Sequence, residues 1–200
     1  GEGWLRPWHV VVAEGARARL RLGGTGWWPW AYECIQEITV GERGIGLSLT
    51  LRNTGTTPMP AGLGFHPYFP CTGQTLLRFD ASGAYPPMGN GPLAIQALDA
   101  TNSFTTLRPV SGTGLDHCYA GWHGPATIIQ PETGVQVSVT PLRGARHCVV
   151  YTPVDKPYFC LEPVSHLTGA FEASDPAAAG LELLQPGAAL DLAISIEARR

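Results

Sequence analysis

The chain has 200 residues, 44% hydrophobic and 14% charged, enough to bury a sizeable core in one domain spanning 1–200. Thirteen Lys and Arg against 16 Asp and Glu give a formal net charge of −3 with no run of either sign, so nucleic acid and anionic membrane find no electrostatic footprint. No apolar stretch nears the length that spans a bilayer, and no charged region followed by an apolar one opens the chain; the expectation is a soluble, cytoplasmic protein with a small neutral polar ligand.

In chain order, Ala16 to Leu22 alternates strictly, with Arg17, Arg19 and Arg21 on one face and Ala18, Leu20 and Leu22 on the other, which predicts a half-buried strand with its arginines in solvent. Gly24 to Tyr32 gathers three tryptophans around Pro29, either a sugar platform or a hydrophobic wall, with core packing the simpler reading. Ile45, Leu47, Leu49 and Leu51 alternate with small and polar residues and end in the turn chemistry of Asn53-Thr54-Gly55. That strand delivers the chain to Ala61 to Pro70, AGLGFHPYFP. Here Pro67 pushes His66 into an extended conformation, while Gly62 and Gly64 permit angles or close approaches that a Cβ forbids. A histidine so constrained is either a core residue satisfied by backbone groups or a functional group with a fixed direction.

Leu76 to Phe79 reads as a short strand, and Ala81 to Pro109, rich in Gly, Pro, Ser and Thr, as long loops over an open sheet face. Asp116 follows a glycine-rich approach and either caps a turn or faces a ligand. Gly134 to Thr140 alternates as a strand behind the hairpin turn Glu132-Thr133-Gly134, and Cys148 to Tyr151 reads as a strand buried on both sides. Glu162, after Phe159, Cys160 and Leu161, is expected at the end of a buried strand, where a carboxylate needs a partner or a task. Leu190 to Glu197 alternates again, and no segment of twelve residues shows a sustained helical period. Short alternating strands with Gly/Pro turns indicate an antiparallel two-sheet, all-β architecture.

The five cysteines (Cys34, Cys71, Cys118, Cys148, Cys160) are odd in number, scattered and free of any CxxC, which suits reduced thiols. His117-Cys118 and His147-Cys148 have no spacing that closes on one ion, so no metal is expected. No GxSxG and no phosphate loop occur, and a glycosidase built on Glu162 and Asp116 would leave His66 without a part.

The segments GLGFHPYF and FCLEP, joined by WPWAYECIQEITV, LTLRNTGTTPMP, GLDHCYAGW and GLELLQPGAALDLAISIEA, resemble the aldose 1-epimerase (galactose mutarotase) family over almost all of Trp4 to Glu197. The resemblance implies the large galactose mutarotase-like β-sandwich, no cofactor, a small sugar substrate such as an aldohexose, His66 and Glu162 as the catalytic acid and base, and Asp116 as a ligand of a sugar hydroxyl. His166 is then a supporting group, and His117 stays outside the site. The family carries an N-terminal portion with further strands, an arginine and a histidine ahead of the stretch matched by Gly1, so the chain is expected to be a fragment or a shortened homologue. The alternative is a non-catalytic sugar-binding sandwich or an inactive fragment of an epimerase.

Overall fold

The computed structural model describes residues 1–24, 26–87 and 94–200; Thr25 of the tryptophan-rich stretch and residues 88–93 of the expected loop region lie outside the described residues. The chain begins with a single helical turn, α1 (Glu2–Leu5), and is otherwise built of strands. These are β1 (His9–Glu14), β2 (Arg17–Gly23), β3 (Tyr32–Val40), β4 (Gly44–Asn53), β5 (Met59–Ala61), β6 (Tyr68–Pro70), β7 (Leu76–Asp80) and β8 (Gly83–Tyr85). There follow β9 (Arg108–Pro109), β10 (Asp116–Ala120), β11 (His123–Gln130), β12 (Val135–Arg143), β13 (His147–Tyr151), β14 (Tyr158–Val164), β15 (Glu182–Leu184) and β16 (Ala189–Arg199).

Among the described residues the strands form a nine-stranded sheet in the order β1-β2-β3-β4-β16-β12-β11-β7-β9, a five-stranded sheet β6-β14-β13-β10-β8, and the small pair β15-β5. All pairings are antiparallel. The core lies between the two larger sheets, where Leu77, Phe79, Ile128, Leu192 and Ile194 meet Phe159, Leu161, Cys148, Val150 and Tyr119. Leu192 and Ile194 are fully buried, each contributing about 1.5–3 kcal/mol of apolar transfer, and so the alternating tail becomes a central strand rather than an edge.

The period-two segments form the strands expected of them. In β2 the arginines face solvent, where Arg21 pairs with Glu33 at 2.5 Å and Arg19 with Glu37 at 3.9 Å across β3, while Leu22 is buried. Gly134, at φ +66°, turns β11 into β12. Trp28 and Trp30 pack against the core, as the simpler reading has it, whereas Trp27 is exposed.

Three expectations change. The stretch from Ala81 to Pro109 is not all loop: β8 pairs with β10 and widens the five-stranded sheet, and β9 pairs with β7. β13 is buried on one side only, since Cys148 and Val150 enter the core while Val149 is half-buried and Tyr151 exposed. Glu162 is not at a strand end, because β14 continues through Pro163 to Val164 with Cys148 and His147 of β13 opposite.

The glycines around His66 are used for close approach. A Cβ on Gly62 would meet the His166 ring at 2.5 Å, and one on Gly64 would meet Val164 Cγ1 at 2.8 Å. The segment is pinned to β14 by Phe65 N–H donating to Pro163 O and Ser165 N–H donating to Leu63 O, both at 2.9 Å. Gly64→Ala is therefore expected to lower stability by about 1–3 kcal/mol through overpacking against Val164. Gly73→Ala, with open space around its Cβ, should leave the unfolding midpoint nearly unchanged in the same thermal melt. Equal midpoints for the two variants would remove close packing as the reason for Gly64.

Candidate active site

Alternation along the five-stranded sheet gives it two unlike faces. Phe69, Phe159, Leu161, Cys148, Val150 and Tyr119 point to the core. The opposite face carries His66 and Tyr68, then Cys160 and Glu162, then Val149 and Tyr151, then Asp116 and Cys118 across successive strands. Half of that outer face is closed by a second apolar cluster, in which Leu167, Ala170, Ala179 and Leu181 pack on Cys118, Val149 and Val164. The polar residues occupy the half left open.

Register brings His66 to Glu162. The bridge Gly64–Val164 and the pair Tyr68–Cys160 bracket them, so the two side chains face each other, with His66 Nε2 3.4 Å from Glu162 Oε1. This is longer than the 2.7–2.9 Å typical of a tight charge-assisted hydrogen bond. It leaves a loose pair whose side chains are 36% and 15% exposed. Burial first, and the nearby Asp116 charge second, push the Glu162 carboxyl up to about 7. Asp116 sits at the exposed start of β10, opposite Tyr151. The three residues anticipated from sequence thus share one face, and Asp116 acts on Glu162 electrostatically, which the sequence reading did not foresee.

His66 packs against two aromatic rings. Tyr68 stacks on it at 4.8 Å with an interplanar angle of 11°, and the Trp4 ring lies 5.0 Å away, tilted by 35°. Trp4 is 65% exposed and was missed as a site residue; the aromatic platform weighed from sequence was placed at the tryptophans before Tyr32. Its position depends on α1, whose buried Glu2 accepts hydrogen bonds from the Trp28 N–H at 2.8 Å, from Arg6 Nη1 at 2.9 Å and from the Tyr32 hydroxyl. No local punctuation distinguishes Trp4 from any other exposed tryptophan, because the clip that places it joins residues far apart in sequence.

The remaining histidines stand apart from the pair. His117, one residue from Asp116, points to the opposite face with Nδ1 buried and without a partner among the described residues, and burial lowers its pKa. His166 packs on Gly62 with Nδ1 3.3 Å from Ser165 Oγ, and burial lowers its pKa too. His147 is pushed down to about 4, mainly by burial and further by His166 and Arg146. A concavity of about 480 Å³ on the nine-stranded sheet, lined by Val12, Ile38, Leu47 and Leu142 among others, includes Arg19 and Glu37 but no histidine.

The chain as a whole is similar to known proteins. The uncharacterized protein YphB of Escherichia coli (strain K12) is 30% identical over 177 residues, which are 83% of this chain and 60% of that protein. The chain thus spans 60% of the length of that curated relative. The crystal structure of an Escherichia coli K12 protein proposed to be an aldose 1-epimerase superposes with a TM-score of 0.87 at 25% identity, covering 100% of this chain and 70% of that one. Galactose 1-epimerase from Lactobacillus acidophilus NCFM shares the fold, with a TM-score of 0.75 at 13% identity over 96% of this chain and 66% of its own. The all-β architecture of large antiparallel sheets is that of the galactose mutarotase-like proteins. A family model described as aldose 1-epimerase matches residues 1–197, and the chain belongs to that family.

Proposed function

We propose that this chain carries the acid–base centre of an aldose 1-epimerase, interconverting the α and β anomers of a hexose such as glucose or galactose. The observation that carries the reading is the loose pair of His66 Nε2 and Glu162 Oε1 at 3.4 Å on an open sheet face. Ring opening moves two protons: Glu162, as carboxylate, takes the proton of the C1 hydroxyl, and His66 gives one to the ring oxygen. Rotation about C1–C2 turns the carbonyl over, and closure returns both protons by the reverse transfers, so the groups end as they began and no cofactor is consumed. Asp116 accepts a hydrogen bond from a sugar hydroxyl, and Trp4 offers an apolar ring to a C–H face of the sugar. The reading takes the protein to be cytoplasmic, which five free cysteines support. Among the described residues no helix is long and apolar enough to cross a membrane.

Polarimetry of freshly dissolved α-D-glucose and α-D-galactose tests this against spontaneous mutarotation. Glu162→Gln and His66→Asn should each lower the catalysed rate by about 10²–10⁴-fold, with the double variant hardly worse than either, because the groups act in one step. Folded single variants with near-normal turnover at pH 7 would leave a sugar-binding sandwich in place of an enzyme.

The pH–rate profile should rise through about 7, where Glu162 ionises, rather than near the ordinary glutamate value. Asp116→Asn removes the lesser of the two causes that raise Glu162, so the rising limb should move toward lower pH without reaching the ordinary range. A limb that stays put in Asp116→Asn would remove the charge coupling.

Trp4→Ala should raise KM by about two- to tenfold with kcat little changed, and Trp4→Phe should recover part of the loss. An equal fall in kcat with KM constant would make Trp4 a support of His66 rather than a surface for sugar.

A further inference from the structure

One face of β14 presents Cys160 and Glu162 two residues apart, and the register sets His66 opposite Glu162. The His66 ring nitrogen, the Cys160 sulfur and a Glu162 carboxylate oxygen all lie within 4.8 Å of one another, although their residues come from two distant parts of the sequence. The adjacent His-Cys pairs offered no such closure. In a tetrahedral zinc site with bonds of about 2.0–2.3 Å, neighbouring donor atoms sit roughly 3.3–3.8 Å apart. His66 and Glu162, at 3.4 Å, already have that spacing, and the sulfur needs an approach of about 1 Å or so.

The division of labour suits ligation. Cys160 is fully buried in the middle of its strand and supplies a fixed donor, while His66 is partly exposed and presents its ring nitrogen from the solvent side. We propose that His66, Cys160 and Glu162 form a three-donor site for one borderline-soft divalent cation of the zinc class, with the remaining coordination position open to solvent. One nitrogen, one sulfur and one oxygen match the ligand preferences of such ions, and the thiolate disfavours magnesium and calcium, which take oxygen.

Electrostatics points the same way. A thiolate and a carboxylate held together on this partly buried face would repel each other. A dication reverses that logic: it stabilises thiolate and carboxylate together and expels their protons. Its affinity therefore rises with pH. The cation takes the same Nε2 and carboxylate lone pairs that proton transfer to a sugar requires, so cation and sugar turnover exclude each other. This exclusion rests on the epimerase reading; the cation site itself does not.

Titration of the full chain with cobalt(II), a spectroscopic stand-in for zinc, separates the two. A near-ultraviolet thiolate-to-cobalt charge-transfer band should grow to one equivalent per chain, vanish on addition of zinc, and be absent from Cys160→Ser. His66→Asn changes a partly exposed side chain, keeps every cysteine, and should weaken cobalt binding by about tenfold or more. No band in the unaltered chain, a band undiminished in Cys160→Ser, or unchanged affinity in His66→Asn would each overturn the site. A band of the expected kind from a protein without mutarotase activity supports the cation site and sinks the epimerase reading alone.

Discussion

A carboxylate held in the middle of a sheet is the constraint on which the rest of this site depends. Glu162 is only 15% exposed at its side chain, and its pKa is raised to about 7 by burial first and Asp116 second. A folded-state value above the unfolded one means that folding favours the protonated form. Its stabilising effect is complete below the ordinary value of 4.5 and is lost as pH rises through about 7. Near neutrality the fold therefore tolerates an ionised group that it would hold more comfortably neutral, a common relation between strain and activity at functional sites.

Everything nearby limits where that carboxylate can find a partner. The inner face of the five-stranded sheet is committed to the main core, and half of its outer face is sealed by Leu167, Ala170, Ala179 and Leu181. The open half receives His66 because Gly62 and Gly64 let its segment lie against His166 and Val164. Had either position carried a side chain, the segment would stand off from β14 and the imidazole would lose its fixed direction. The Glu2 clip holds α1 to Trp28 and Tyr32 and brings the Trp4 ring to His66.

What could be read in the sequence follows from how local each cause is. Period-two burial is written residue by residue, so β2, β4, β12 and β16 were visible in the alternation of leucine, isoleucine and valine with polar neighbours. The punctuation around His66 is local as well, and the family resemblance added Glu162 and Asp116. Sheet order is not local: that β8 joins β10, or that β13 keeps one face open, depends on what lies above the sheet. Cys160 looked like one more small hydrophobe in a buried run, and only the pairing of β6 with β14 sets it near an imidazole and a carboxylate. Trp4 is the same kind of case, since its place is fixed by hydrogen bonds spanning some twenty-six to thirty residues.

In the proposed reaction, the crowding of acidic groups on this face would let one carboxylate serve in both directions of a reversible proton transfer. A glutamate at its ordinary value would be a weak base at neutral pH and a reluctant donor on the return. Full burial without compensation would hold it protonated and remove the base altogether. Glu162 sits between these limits, raised by partial burial first and by Asp116 second. If ring opening and closure use the same two groups with their roles exchanged, as proposed, catalysis is fastest when neither proton position is strongly preferred. A loose pair at the border between the apolar half of the sheet and solvent meets that condition, where a tight buried ion pair would not.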